Sequence, residues 1–143
     1  MNIKKIKNIN NGYSLIEIMV AIMIIGTCFI GLIQAFPFAL KISNSAKNQT
    51  KASYFAQEKI EELYQLGYEN FATGTIEIKH ALGSPGNDRA AFQRETIIQY
   101  IDRDLNEISE DQGMKKITVH VFYTDSISKN EKLYSLGTIL TYR

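Results

Sequence analysis

One acidic side chain in this sequence stands where an acid is costly, at the beginning of a long apolar segment. Glu17 is followed by 23 residues, Ile18 to Leu40, that include no charged side chain. A carboxylate deep in a membrane helix costs about 2.5–3.5 kcal/mol on insertion scales, so it indicates a function and calls for a positive partner. A cut after Gly12 would supply one, because the new α-amino group of Tyr13 lies one helical turn before Glu17. The spacing therefore allows charge compensation within one subunit or between two.

Two simpler explanations of the amino-terminal segment compete with this one. A secretory signal peptide would use the lysines of residues 1–12 as its basic region and end in a cut after Ala35, although Ile33 is a poor match to the usual small residue. A plain signal anchor would keep the whole apolar segment as a transmembrane helix. Neither explanation accounts for Glu17.

The residues around the cut form a hexapeptide between a lysine-bearing leader and the apolar segment, and they read Gly12-Tyr13-Ser14-Leu15-Ile16-Glu17. This hexapeptide resembles the processing motif of type IV prepilins, which usually reads Gly-Phe-Thr-Leu-Ile-Glu. The resemblance implies that a membrane prepilin peptidase/N-methyltransferase cleaves between Gly12 and Tyr13 and methylates the amino group of Tyr13. Gly12 suits a protease cleft because it has no side chain. For Glu17 the resemblance implies pairing with the amino terminus of a neighbouring subunit during assembly.

The composition changes sharply along the 143 residues and predicts three parts. Residues 1–12 form a basic leader peptide, residues 13–40 a hydrophobic transmembrane or filament-core helix, and residues 41–143 a soluble domain of ordinary size. Without the three leader lysines, 13 basic side chains face 15 acidic ones, so no basic surface predicts direct binding of nucleic acid. The one cysteine, Cys28, lies in the apolar run and is expected to pack there.

The helix is expected to continue beyond the apolar segment. Apolar or small residues recur at helical spacing as far as Leu63, and Gly67 predicts an end after Leu66. Pro37 predicts a bend or local loosening near residues 33–37, because proline cannot donate a backbone hydrogen bond. The stretch Ala56–Leu63 resembles one found in type IV pilus modification proteins and in I-type minor pseudopilins, although helix propensity alone could produce it.

The period changes from helix to strand after Gly67. Strands are predicted at Thr75–Lys79 (an edge strand), Arg94–Ile101, Lys116–Thr124 and Leu133–Tyr142, with turn-like residues between them. The predicted fold is α+β: a long amino-terminal helix whose carboxyl-terminal half packs on a small antiparallel sheet with one buried face. The resemblance implies the same architecture. Tyr64, Tyr68 and Phe71 are expected to cover the start of the sheet, or else to form a partner-binding surface.

The sequence predicts no catalytic, cofactor-binding or metal-binding residue. His80 has no second ligand nearby, and His120 alternates with apolar neighbours, which predicts a solvated ring. The segment that begins at Asp102 starts like a calcium loop and then lacks its glycine and its bidentate glutamate. The oxygen-rich turn from Asp125 to Glu131 is interpreted as a polar hairpin turn, although some pseudopilins bind calcium in carboxyl-terminal loops.

Together these observations favour a minor pilin or pseudopilin, a structural subunit of a type IV pilus or type II secretion-like filament, and not an enzyme. The resemblance implies further partners: other pilins or pseudopilins, an inner-membrane assembly platform with its ATPase, and membrane lipid. It also implies a single-pass inner-membrane location with the soluble domain outside the cytoplasm, followed by a periplasmic or cell-surface filament. The alternative is a single-pass, membrane-anchored extracytoplasmic binding module. A major subunit is less favoured, because the paired carboxyl-terminal cysteines of many major pilins are missing.

Overall fold

One long helix and a single antiparallel sheet make up the part of the chain that the structure describes, residues 12–142 of a computed structural model. The helix α1 spans Leu15–Leu66 and is followed by a short 3-10 turn at Tyr68–Asn70. The strands are β1 Gly74–Ala81, β2 Phe92–Ile101, β3 Glu107–Ile108, β4 Met114–Thr124 and β5 Glu131–Thr141, with a second 3-10 turn, Asp88–Ala91, before β2. The predicted basic leader falls on residues 1–11, outside the described residues, apart from Gly12.

The chain divides into two compact units between Leu40 and Lys41. In the first unit every described residue is exposed, as expected for a helix that finds no apolar partner within its own chain. Helix α1 runs through Pro37 without an interruption in its helical structure, so the bend expected there stays a prediction.

The second unit contains the sheet, in the order β1-β2-β4-β5, with β3 paired to β2. All neighbouring strands are antiparallel, which confirms the predicted α+β fold and the edge position of β1. The core lies between one face of the sheet and the helix, which contributes Ala52, Phe55, Ala56, Ile60 and Leu63. From the sheet come mainly Ile98, Ile117, Val119, Val121 and Tyr123.

The strand alternation matches the prediction closely. The predicted inward face of β4, Ile117 to Tyr123 in steps of two, is buried, and in β5 the side chains of Tyr134, Leu136 and Leu140 pack against the core. Helix α1 ends at Leu66 as predicted. Gly67 follows in the left-handed region, with φ of 81°, and its N–H donates to the carbonyl of Leu63 at 3.3 Å. Glycine adopts this conformation without the steric cost of a Cβ, so it terminates the helix.

Candidate functional site

The predicted cleavage site lies at the start of helix α1. Gly12, Tyr13 and Ser14 have no regular secondary structure and are exposed, and the helix begins at Leu15. The carbonyl of Ser14 accepts the N–H groups of Glu17 at 3.0 Å and Ile18 at 3.3 Å, so the first turn forms directly after it. A non-helical, exposed peptide bond can enter a protease cleft, whereas a helical one has to unwind first.

Tyr13 and Glu17, the two residues that sequence reasoning joined, line one shallow groove. The groove has a volume of about 350 Å³, and its other walls are Ile18, Ala21 and Ile22. Glu17 is in the first turn of α1, where a negative charge interacts favourably with the helix dipole. Among the ion pairs within residues 12–142, none involves Glu17. The arrangement leaves its carboxylate accessible to a positive group from outside the described part of the chain.

The apolar half of helix α1 is long and hydrophobic enough to cross a membrane. Its most apolar 18-residue window has a mean hydropathy of 2.5, and none of that window is buried. The hydroxyl of Thr27 donates to the carbonyl of Met23 at 2.5 Å, so this polar group is satisfied inside the helix, as a lipid environment requires. Cys28 is exposed on the same helix. A continuous apolar surface of this length calls for lipid or neighbouring apolar helices around it.

The two histidines are on strands separated by β2, His80 on β1 and His120 on β4. Within residues 12–142 no group of three or more His, Cys, Asp or Glu side chains could hold a metal ion. Nε2 of His80 lies 3.4 Å from the Oε1 atom of Glu77. The prediction of a solvated His120 needs a correction. Its ring is partly buried beside Phe122, with ring centroids 6.4 Å apart, and its Nδ1 atom is buried without a hydrogen-bond partner among the described residues. Alternation predicted the face of the sheet correctly, but it could not show that other side chains, such as Phe122 on the same strand, partly cover the ring.

The turn that resembles the start of a calcium loop is held by its own hydrogen bonds. Oδ1 of Asp102 accepts the backbone N–H of Asp104 at 2.9 Å and of Asn106 at 2.8 Å, and Oδ2 accepts the side-chain amide of Asn106 at 3.1 Å. The backbone hydrogen bond from Asn106 is the main cause that holds the pKa of Asp102 below its usual value. Its carboxylate thus serves the turn, with Leu105 in the left-handed region at φ 67°.

The oxygen-rich turn after β4 has a role that sequence reasoning missed. Asp125 is 1% exposed and accepts the hydroxyl of Ser45 on helix α1 at 2.5 Å. It also accepts the N–H of Ser128 at 3.0 Å and its hydroxyl at 2.9 Å, and Nζ of Lys132 lies 3.3 Å away. These partners, Ser45 first, hold the pKa of Asp125 well below its ordinary range. The carboxylate fastens the turn to the helix and has donors around it, which does not suit a cation.

A second missed feature is a buried ion pair between β1 and β2. Nε of Arg94 lies 3.1 and 3.0 Å from the two carboxylate oxygens of Glu77, and Nη2 donates at 2.9 Å. The side chains are 10% and 11% exposed, and Thr96 donates to the same carboxylate at 2.7 Å. Burial raises the pKa of Glu77, but the hydrogen bonds from Arg94 and Thr96 outweigh it, so the pKa lies below its usual value. Nη1 of Arg94 also donates to the carbonyl of Phe55, which joins the pair to helix α1.

A third missed feature is the buried Lys115, which explains the aromatic residues after the helix. Its Nζ donates to the carbonyls of Tyr68 at 2.8 Å and Phe71 at 3.1 Å, and lies over both rings. Tyr68 in turn donates to Asp111, and burial together with that bond raises the pKa of Tyr68. The expectation that Tyr68 and Phe71 cover the start of the sheet is therefore supported by contacts that a lysine organises.

Comparison with known proteins agrees with the amino-terminal motif. Residues 7–33 match the family model described as the prokaryotic N-terminal methylation motif. No curated protein and no solved structure matches the chain. The matched range includes the hexapeptide Gly12–Glu17 and residues 18–33 of the apolar segment Ile18–Leu40. The chain thus carries a prokaryotic N-terminal methylation motif, which is consistent with a type IV pilin-like family.

Proposed function

We propose that this chain is a minor pilin or pseudopilin, a structural subunit of a type IV pilus or type II secretion-like filament. The observation that carries the proposal is the methylation motif at residues 7–33, which overlaps the start of a helix that has no charged side chain from Ile18 to Leu40. The chain itself performs no reaction. Its chemistry is that of a substrate for processing and of a building block for assembly.

In this proposal a prepilin peptidase/N-methyltransferase hydrolyses the peptide bond between Gly12 and Tyr13. The carbonyl carbon of Gly12 takes up the water oxygen and leaves as a carboxylate on the leader, while Tyr13 keeps the amino group and is then methylated. Two observations support this site: residues 12–14 are exposed and precede the first helical residue, and a Cβ added at Gly12 would meet no atom within 4 Å. The preference for glycine at this position is therefore attributed to the peptidase and not to the fold of the substrate.

Glu17 is assigned to assembly. Before assembly, the apolar segment Ile18–Leu40 keeps the subunit in the inner membrane, with the soluble domain, residues 41–143, outside the cytoplasm. The assembly platform then moves it into a bundle, where apolar segments of other pilins or pseudopilins replace lipid. The carboxylate of Glu17 meets the methylated amino terminus of a neighbour. In an apolar surrounding, such a pair recovers part of the roughly 2.5–3.5 kcal/mol that an unpaired acid costs there.

The proposal is tested by expressing the full chain in cells with and without a prepilin peptidase and comparing its mobility on a denaturing gel. The expected result is a shift of about 12 residues that requires the peptidase. A Gly12→Val variant should stay uncleaved and still enter the membrane, because the apolar segment is unchanged. A matched Asn11→Val variant, which leaves Gly12 in place, should be cleaved. Cleavage of the Gly12→Val chain at the wild-type rate would contradict the assignment.

A further inference from the structure

The two edges of the sheet are built very differently. The pairing of β1 with β2 has two register irregularities, one between Thr75 and Glu77 and one between Glu77 and His80. The pairing of β5 with β4 runs through eleven consecutive residue pairs, from Met114 with Thr141 to Thr124 with Glu131, with no irregularity. Bulges are one of the devices by which proteins prevent an edge strand from pairing with another chain. Edge β1 has this protection and edge β5 does not.

The hydrogen bonds at both ends of β5 show which of its residues face outward. The N–H of Tyr142 donates to the carbonyl of Gly113 at 2.8 Å, and the carbonyl of Asn130 accepts the N–H of Asp125 at 2.9 Å. Even-numbered residues therefore direct their backbone groups toward β4. Because these groups alternate in direction along an antiparallel strand, odd-numbered residues direct theirs to the open side.

The open side is partly occupied near the end of the strand. The hydroxyl of Tyr64 donates to the carbonyl of Ile139 at 3.2 Å. Among the hydrogen bonds of residues 12–142, the backbone groups of Leu133, Ser135 and Gly137 have no such outer partner. Between Leu133 and Thr141 the strand includes neither a charged residue nor a proline. From Leu133 to Gly137 the strand therefore has no charge, proline or bulge that would keep this edge from pairing.

We propose that a second copy of this chain pairs with this edge, with the two β5 strands antiparallel and Ser135 facing Ser135. In that register Leu133 faces Gly137 of the other copy on one side of the sheet. On the core side Tyr134 of each copy faces Leu136 of the other, which makes two such pairs. These pairs cover the side chains of Tyr134 and Leu136, which are only half-buried in a single copy.

The charges at the start of β5 are compatible with this register and support a second copy as the occupant. Glu131 and Lys132 meet Ile139 and Thr138 of the other strand, so no like charges face each other. From Leu133 to Thr141 the strand is uncharged, so this stretch of a second copy is compatible with the same uncharged stretch of the first. The contact is isologous, since the same surface is used on both sides, which is the usual geometry of a symmetric dimer.

The pairing is tested by disulfide capture in the full chain. A covalent bond is needed because one pair of strands makes a smaller contact than a stable interface usually has. Cys28 is first changed to Ser, which leaves no native thiol, and Ser135→Cys is then introduced. Opposed residues of a hydrogen-bonded antiparallel pair have Cα atoms about 5.5 Å apart, which a disulfide spans. Membranes from cells that express only this chain are treated with diamide. The expected result is a covalent dimer that disappears on reduction.

Two controls make the outcome decisive. Ile78→Cys places an accessible thiol on the opposite edge, since Ile78 is 77% exposed on β1, and should yield little dimer. Adding Gly137→Pro to the Ser135→Cys chain removes an outward N–H without touching a bond to β4, and should lower the yield several-fold. Equal capture at both edges, no capture at position 135, or capture of a different protein by the Ser135→Cys chain would each overturn the second copy as the occupant.

Discussion

The two halves of helix α1 follow opposite designs within one continuous element. From Leu15 to Leu40 every residue is exposed, although nearly all are apolar, whereas beyond Lys41 the helix alternates charged residues with a buried stripe. Leu32 is 68% exposed and Leu63 is 1% exposed, and both belong to the same helix. The second half finds its apolar partner in its own sheet. The first half has to find one outside the chain, which is what a subunit held by lipid or by neighbouring subunits requires.

The largest expected effect is in the domain, at the buried ion pair. Arg94→Leu leaves the carboxylate of Glu77 buried without its partner, and we expect the free energy of unfolding to fall by about 3–5 kcal/mol. The measurement is chemical denaturation of the full chain in detergent. The double variant Arg94→Leu with Glu77→Leu should recover much of the loss, because no buried charge remains. A double variant as unstable as the single one would show that the pair is not the cause.

The same substitution should have different effects on stability in the two halves of the helix. Leu63→Ala opens a cavity in the core and should lower the free energy of unfolding by about 2–5 kcal/mol. Leu32→Ala should leave it unchanged, because that side chain contacts no core residue. Both variants are measured by the same denaturation. A comparable loss at Leu32 would mean that the apolar half packs within its own chain after all.

A charge should reverse the order of sensitivity. Leu32→Asp lies well inside the apolar segment and should weaken membrane insertion by about 2.5–3.5 kcal/mol. Leu66→Asp, at the exposed end of the helix, should have no effect on insertion. The fraction of each chain that resists alkaline extraction from membranes measures the difference. Equal retention of the two variants would contradict the assignment of the membrane-spanning role to the first half of the helix.

The smallest expected effect is a pH dependence of the domain. The pKa values of Asp125 and Glu77 are lower in the folded protein than the unfolded values of about 3.9 and 4.3. Their stabilisation is therefore complete above those unfolded values and is lost as the pH falls through the folded pKa values. The free energy of unfolding should decrease between pH 5 and pH 3, values chosen to bracket the ordinary carboxyl range. Asp125→Asn should reduce that slope, and an unchanged slope would contradict the assigned role.

The elements of the fold were predictable because their signals are local. The helix end at Leu66, the buried face of β4 and the alternation of β5 follow from periodicity and from one glycine. The two-residue strand β3 was missed because it is too short to show a period. The processing motif from Gly12 to Glu17 was also predictable, because the order of its six residues defines it without any information on the fold.

The polar contacts inside the domain were not predictable, since their partners are far apart in the sequence. From the sequence alone Lys115 would be taken for an ordinary surface lysine. In the structure the connection after the helix covers it. From the sequence alone Asp125 would be taken for a turn residue. Its hydrogen bond with Ser45 joins positions 80 residues apart, so no local pattern predicts it. A weak signal was present for Lys115, because it occupies an inward position in the alternation of β4. Such a position predicts either a buried cation with partners or a bend in the strand.

Processing between Gly12 and Tyr13 is tested most directly by the mass of the amino-terminal peptide, measured by mass spectrometry on the chain expressed from its full sequence in cells that contain a prepilin peptidase. A processed subunit gives a peptide that begins at Tyr13 and carries one methyl group on its amino nitrogen. An intact Met1 would contradict it and favour a membrane-anchored binding module. A peptide that begins after Ala35 would mean that the apolar segment is removed and the domain is secreted.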